Sequence, residues 1–243
     1  MRGLVLAAGP GRRLHPLTEA LPKTLLPLND GRTILDVALA NLHAAGLEDV
    51  TIVTGFAAER VEELVSALEE RHSVELQLVF NDRAEEWNNA YSLWLARAAL
   101  REGALIVNGD TVHPPAVEET LLAARGPDVL IAIDREKALG EEEMKVVLSE
   151  KGRLERISKD VALDAADGEY IGLALVEPAG AAPLTEALEA TWRRDPSLYY
   201  EDGFQELADR GGDVYGTPIG RVDWVEVDDH DDLARARELE CRY

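Results

Sequence analysis

The residues best suited to chemistry lie early in this 243-residue chain. Gly9-Pro10-Gly11-Arg12-Arg13 follows the apolar residues 4–8, and Pro22-Lys23 comes soon after. The whole chain carries 47 Asp and Glu against 25 Lys and Arg, a formal net charge of −22. Residues 1–27 nevertheless hold Arg2, Arg12, Arg13 and Lys23 against Glu19 alone. A cationic, glycine-bearing loop kept inside an anionic protein fits a small polyanion such as a nucleoside triphosphate. Gly9 and Gly11 would let backbone N–H groups approach phosphates closely, and Arg13 and Lys23 would add fixed positive charge.

Spacing rules out two familiar phosphate loops. A dinucleotide-binding turn has a third glycine where Leu14 stands and opens directly into a helix, which Pro16, Pro22 and Pro27 oppose. A Walker-type loop requires a Gly-Lys-Ser/Thr run that this chain lacks. The bland rival is a surface turn with incidental arginines, and its position after a buried-type strand weighs against that.

A triphosphate calls for a divalent cation, and magnesium takes one or two carboxylates plus phosphate oxygens. Asp110 closes Asn108-Gly109-Asp110 after the apolar residues 104–107. In Trp224-Val225-Glu226-Val227-Asp228, strand alternation puts Trp224, Glu226 and Asp228 on one face and turns Val225 and Val227 inward. Asp110 and Asp228, with Glu226 as neighbour or substitute, are the candidate metal ligands. In so acidic a chain most carboxylates are simply solvated, so spacing alone lends this set modest support.

The elements that must hold these residues follow from periodicity. Residues 4–8 and 104–107 read as strands buried on both faces, and residues 50–53 and 74–78 as further strands. Ile34, Val37, Ala38, Leu42 and Ala45 recur at helical spacing, as do Val61, Leu64, Val65 and Leu68, and residues 91–101 make a third helix. Strand alternating with helix predicts an α/β fold, a three-layer α/β/α arrangement around a mostly parallel sheet. Ligands bind such sheets at the carboxyl ends of strands, where the Gly9–Arg13 loop, the Thr54-Gly55 turn and Asp110 all fall. The later chain reads as a strand at 129–133, a hairpin over 144–157, a strand at 170–176, helices at 183–194 and 203–210, an alternating run at 222–227 and a helix at 231–239.

The run Leu6-Ala7-Ala8-Gly9-x-Gly11-x-Arg13-Leu14, with Pro16-Leu17-Thr18 and Pro22-Lys23, resembles the signature of the nucleotidyltransferases that make activated sugars and alcohols. The resemblance implies the nucleotide-diphospho-sugar transferase fold, a GT-A-like Rossmannoid sheet. It also implies that the loop wraps the triphosphate, with nucleotide contacts from Leu6, Ala7, Ala8, Gly9, Gly11, Arg12, Arg13, Lys23, Thr54 and Gly55. Relatives place one metal aspartate after the fourth strand and one near the end of the domain, which matches Asp110 and Asp228. Arg12 departs from the family pattern, where Thr or Ser is frequent.

Asn88-Asn89-Ala90-Tyr91-Ser92-Leu93 resembles an element of one branch, the cytidylyltransferases acting on phosphocholine, 2-aminoethylphosphonate and inositol 1-phosphate. There a similar run helps to read the base, which implies roles for Asn88 and Ser92 and favours CTP. Taken alone, the same residues explain a helix N-cap equally well. Residues 142–146, 168–172 and 199–204 resemble the same branch, so the likeness spans nearly the whole chain. It implies one domain over 1–243, with a nucleotide-binding half at 1–137 and an acceptor-binding half at 138–243 that carries the C-terminal metal carboxylate and helix.

Lysine is rare here, which singles out Lys145, set among apolar neighbours, and Lys159, at the position of a lysine that touches the acceptor phosphate in relatives. With Glu169, Tyr200, Glu201 and Asp202 they form the expected acceptor set. The rivals are snorkelling lysines and, for Glu201 and Asp202, a helix N-terminus. Tyr199 and Tyr200, together with Trp87, Tyr91 and Trp94, could enclose an ammonium group, against a plain core stripe for Trp94.

The implied activity is a magnesium-dependent cytidylyltransferase. An acceptor phosphate or phosphonate oxygen attacks the α-phosphorus of CTP and pyrophosphate leaves, with Arg13 and Lys23 as the catalytic cations. The rivals are a sugar-1-phosphate or inositol-1-phosphate nucleotidyltransferase using CTP or another nucleotide, a glycosyltransferase on a similar sheet, and a non-catalytic nucleotide-binding module. The acid excess argues against nucleic acid or an anionic membrane as partner. No apolar run approaches the ~20 residues of a membrane span, and the opening one falls short of the ~7–15 of a signal peptide. A cytoplasmic protein is expected, and a homodimer is compatible with the sequence. Cys241 is the only cysteine, which excludes an intrachain disulfide and a cysteine-based metal site.

Overall fold

The computed structural model describes residues 1–240, apart from the side chains of Asp30 and Glu240, so Cys241 lies outside the described residues. The opening apolar run forms β1 (Arg2–Leu6), parallel both to β2 (Asp49–Thr54) and to β4 (Ala104–Asn108). Leu4 and Val5 are fully buried and pack into cores on opposite faces of the sheet, as strand alternation requires. Each such side chain contributes about 1.5–3 kcal/mol when removed from water. Outside β2 lies the edge strand β3 (Glu75–Phe80).

One layer holds α1 (Ile34–Ala44), whose Leu39 and Leu42 meet Val5, Ile52 and Leu105. Its N-terminus carries a capping box between Thr33 and Asp36, and the buried Asp36 also accepts from Arg71 at 2.7 Å. The connection from β2 to β3 holds α2 (Ala58–Glu62) and α3 (Val65–His72). One continuous helix is not formed there, and Leu64, which the periodicity places on its apolar face, is exposed between the two. Next come α4 (Asn89–Leu95) and α5 (Arg97–Leu100), and after β4 the two-residue β5 (Thr111–Val112) and α6 (Ala116–Ala123).

The second half completes the same sheet. β6 (Val129–Asp134) is followed by the hairpin β7 (Lys145–Leu148) and β8 (Leu154–Ser158), then by β9 (Gly168–Val176), which inserts antiparallel between β4 and β6. α7 (Pro178–Arg194) and α8 (Tyr200–Asp209) cover the other face, where Leu184, Leu188 and Phe204 join the core around Leu4. β10 (Val214–Pro218) adds the last strand, giving the order β10-β6-β9-β4-β1-β2-β3. The periodicity did not anticipate α6 or β10. Gly216 and Pro218 depress strand propensity, but β10 is an edge strand, and a Cβ at Gly216 would meet Ile133 at 2.2 Å.

The alternating run at 222–227 is shorter than expected. Only β11 (Val225–Glu226) pairs, antiparallel to β5, before α9 (His230–Glu240). Val225 and Val227 do point inward, joining Leu14, Leu26, Ile34, Val112 and Leu233 in a third apolar cluster. This cluster brings the end of the chain against the exit of the glycine-bearing loop. Among the described residues no helix is long and apolar enough to cross a membrane.

Candidate active site

The loop after β1 takes its shape from two glycines used differently. Gly11 sits at φ 57° with Lys23 Cβ 3.1 Å from where its own Cβ would be, so a side chain there meets both strain and crowding. Gly9 has open space around it and lines the cleft. Lys23 then reaches two carboxylates, at 2.6 Å from Asp110 Oδ2 and 3.1 Å from Asp228 Oδ1. Arg13 Nη2 lies 2.6 Å from the other oxygen of Asp228. Burial would lower Lys23, but the charges of Asp110 and Asp228 more than offset it and hold the ammonium above its ordinary value. Asp228 is held below the usual range because Lys23 and Arg13 outweigh its own burial.

Asp110, Glu226 and Asp228 each present an oxygen within 4.8 Å of the others. Glu226 is exposed at the cleft, and the neighbouring charges of Asp110 and Asp228 push it upward. Asp110 Oδ1 is buried without a hydrogen-bond partner. An all-oxygen set of clustered carboxylates, one of them with an orphaned buried oxygen, fits a hard divalent cation.

These groups open onto a cleft of about 300 Å³ at the carboxyl edge of the sheet. Leu6, Ala8, Gly9 and Arg13 form one wall, and Lys159, Tyr170, Gly172 and Glu201 the other. Asn88 and Ser92 line it as well. Ser92 Oγ accepts from Asn81 at 2.8 Å, and Asn88 donates to the Ser197 carbonyl at 2.9 Å. Asn89 Oδ1 accepts from the N–H of Tyr200, so α4 and α8 start at the same point of the rim. Beyond Glu226 and Asp228 the cleft continues into a space of about 510 Å³ walled by Lys137, Glu142, Glu143, Glu169 and Trp224.

Several expected contacts lie behind the surface rather than on it. Ala7 packs in the core. Thr54 is buried, and Gly55 lets two loops close on each other, since a Cβ there would meet Ala84 at 2.4 Å and the Ala8 carbonyl at 2.8 Å. Arg12 turns outward and donates to the Glu85 carbonyl at 3.4 Å. Lys145 is 1% exposed, and its ammonium donates to the carbonyls of Glu141 at 2.7 Å and Glu143 at 3.2 Å, pinning the loop that carries Glu142 and Glu143. Asp202 accepts from the N–H of Tyr199 at 2.9 Å, the reach-back bond of a helix cap. Tyr200 is fully buried beside Tyr170 and Phe204.

The expected aromatic enclosure divides. Trp87, Tyr91 and Trp94 pack with Trp192 of α7, and Arg83, Arg97 and Arg193 lie over the indoles. Of the expected rings only Tyr199 lines the cleft, with Lys159 Nζ 5.5 Å from its centre. Glu201, 5% exposed, keeps one oxygen without a partner, and burial pushes it up to about 8. Residue-by-residue reading passed over Asn108, Glu142, Glu143 and Gly172. The position of Asn108 at a strand's carboxyl end was the available signal.

Residues 2–138 match the family model described as nucleotidyl transferase. The chain belongs to that family. This nucleotidyl transferase is 28% identical over 236 residues to a bifunctional IPC transferase and DIPP synthase of Aquifex aeolicus, an alignment covering 97% of the chain and 50% of that protein. It is 35% identical over 106 residues to a choline-phosphate cytidylyltransferase of Streptococcus pneumoniae, covering 44% of the chain and 43% of that protein. The alignments to these two relatives take in half or less of their length. The solved structure of the inositol-1-phosphate CTP transferase from T. maritima shares the fold, with a TM-score of 0.85 at 22% identity over 99% of this chain and 95% of that one.

Proposed function

We propose that this nucleotidyl transferase is a magnesium-dependent, cytoplasmic cytidylyltransferase that moves CMP from CTP to a small phosphate or phosphonate acceptor and releases pyrophosphate. The observation that carries this is the meeting of Arg13, Lys23, Asp110, Glu226 and Asp228 at one cleft, two cations and three acids where a triphosphate–metal complex needs both. An acceptor phosphate, with a second pKa near ~6, is already an anionic nucleophile at neutral pH, so no side-chain base is required. Its oxygen forms a bond to the α-phosphorus as the bond to the pyrophosphate oxygen breaks.

Asp110, Asp228 and Glu226 would hold the magnesium ion, which when bound neutralises phosphate charge. Lys23 holds the α-phosphate beside the acceptor, and Arg13 on the glycine-bearing loop draws the pyrophosphate. Leu6, Ala8, Gly9, Asn88 and Ser92 receive the nucleotide. Gly11 shapes the turn, and Ala7, Thr54 and Gly55 support it from beneath. Lys159, Glu201 and, in the adjoining space, Glu169 receive the acceptor, while Lys145, Tyr200 and Asp202 hold that wall in place. The carboxylates Glu142 and Glu143 around the acceptor space support a substrate bearing a cationic amine, such as phosphocholine or 2-aminoethylphosphonate. The near full-length alignment of the chain to the Aquifex IPC transferase favours a second reading, an inositol-1-phosphate acceptor.

The test is a matrix of the four ribonucleoside triphosphates against phosphocholine, 2-aminoethylphosphonate, inositol 1-phosphate and glucose 1-phosphate, scored by pyrophosphate formed. CTP with an amine-bearing acceptor should turn over fastest. Preference for inositol 1-phosphate selects the second reading, and turnover confined to glucose 1-phosphate with another nucleotide overturns both.

A further inference from the structure

Asn108 ends β4 between the two walls of the cleft. Leu6 is its neighbour across the sheet on one side, and on the other β9 lays Gly172 against its side chain. Gly172 sits at φ 83°, and a Cβ there would come within 2.6 Å of Asn108 Nδ2, so glycine leaves the amide its place. On the protein side, Tyr200 Oη lies 2.8 Å from Asn108 Oδ1 and 2.9 Å from Tyr170 Oη. Burial raises both phenols well above their ordinary value, so both keep their hydrogens.

Each hydroxyl has one hydrogen to place. Donation from Tyr170 to Tyr200 and on to Asn108 Oδ1 satisfies both. The opposite order leaves the Tyr170 hydrogen without a protein acceptor among the described residues. The direction of this relay therefore fixes the amide, with Oδ1 toward the tyrosines and the NH₂ group left for the cleft. No protein acceptor takes that NH₂ among the described residues, and Asn108 is half-buried where it lines the cleft, so the donor is open to a ligand there.

We propose that Asn108 is a substrate-binding donor whose NH₂ group grips an anionic phosphoryl oxygen where nucleotide and acceptor meet, and that Tyr200 and Tyr170 are positioning residues that keep the amide in this orientation. The nature of that oxygen rests on the nucleotidyl-transfer reading. The placement beside Asp110 and between Leu6 and Gly172 does not.

The test compares wild type with Asn108→Asp, Asn108→Leu and Tyr200→Phe, using CTP, magnesium and each of phosphocholine, 2-aminoethylphosphonate and inositol 1-phosphate. Asn108→Asp keeps the oxygen that accepts from Tyr200 and exchanges the donor for a repelling oxygen, and it should lose on the order of 10²-fold in kcat/KM. Asn108→Leu, which adds no charge, should lose a similar factor, and Tyr200→Phe roughly tenfold with its thermal midpoint followed separately. A rise in KM for CTP places the oxygen on the nucleotide, a rise for the acceptor places it there, and a fall in kcat alone marks a bond made only in the transition state. Asn108 variants within about threefold of wild type in kcat and both KM values overturn the proposal. If wild type forms no pyrophosphate with any acceptor, the nucleotidyl-transfer reading falls by itself. Asn108 is then judged by calorimetric binding of CTP and of inorganic phosphate with magnesium, where a tenfold weakening in the variants supports the proposal and equal affinity overturns it.

Discussion

The two walls of the cleft are built by opposite means. The first is a loop at the end of β1, with backbone on show and cations, Arg13 and Lys23, resting on carboxylates. The second is side chain on a packed frame, with Tyr170 and Tyr200 bonded to each other, Glu201 buried at the start of α8, and Lys145 locked onto carbonyls under an acidic loop. The first wall suits a ligand recognised by charge, which many anions share. The second suits recognition by shape and polar placement, where a misplaced group leaves a buried partner unsatisfied.

The largest effects should come from the first wall. Lys23→Ala and Asp110→Asn should each lower kcat by on the order of 10²–10³ with the fold intact by circular dichroism, since each removes charge placed where charge develops. A Lys23→Ala enzyme within about twofold of wild type would put the transferred phosphate elsewhere.

The second wall should respond in affinity. Lys145→Met releases the loop bearing Glu142 and Glu143 and should cost about 1.5–3 kcal/mol of stability, with acceptor KM raised and CTP KM unchanged. Equal changes in the two KM values would erase the distinction between the walls.

Two buried acids sharpen the contrast by pH. Glu201 faces the cleft, whereas Glu118 on α6 lies fully buried beside His113, away from it. Burial pushes both up to about 8. A carboxyl raised in the folded state gives stability that is complete below its unfolded value near 4.5 and lost as pH rises through about 8. Denaturant unfolding from pH 5 to 9 should therefore show Glu118→Gln and Glu201→Gln gaining on wild type as pH rises. Only Glu201→Gln should also change acceptor KM. A flat difference across that range would mean the acids are not proton-bound in the native state.

The smallest effect is expected at Arg12, whose guanidinium is spent on the Glu85 carbonyl. Arg12→Ala should stay within about threefold of wild type in kcat/KM for CTP, because an exposed, solvent-screened contact contributes little.

The same contrast sets how much the sequence reveals. Gly9, Gly11, Arg13 and Lys23 lie close together in the chain, so their spacing can be read directly, and strand alternation put Glu226 and Asp228 on the right face. The sheet was legible because buried strands and amphipathic helices carry distinct periods. β10 was not, since its glycine and proline are tolerated only by an edge position that tertiary packing decides. On the second wall sequence reading went further astray. Lys145, Tyr200 and Asp202 are the right residue types for a phosphate or an amine, yet each is satisfied inside the protein. Asn108 passed as part of a turn, because its partners Tyr170, Gly172 and Tyr200 are brought to it only by folding.

The apolar cluster joining Leu14, Leu26 and Ile34 to Val225, Val227 and Leu233 has a consequence for assembly. It makes the proposed active site a joint between early and late portions of the polypeptide. Until residues 222–240 dock, Lys23 and Asp110 face no Asp228, and a greasy strip beside the phosphate loop lies bare. On the proposed reading, turnover should fall whenever that final segment is unseated.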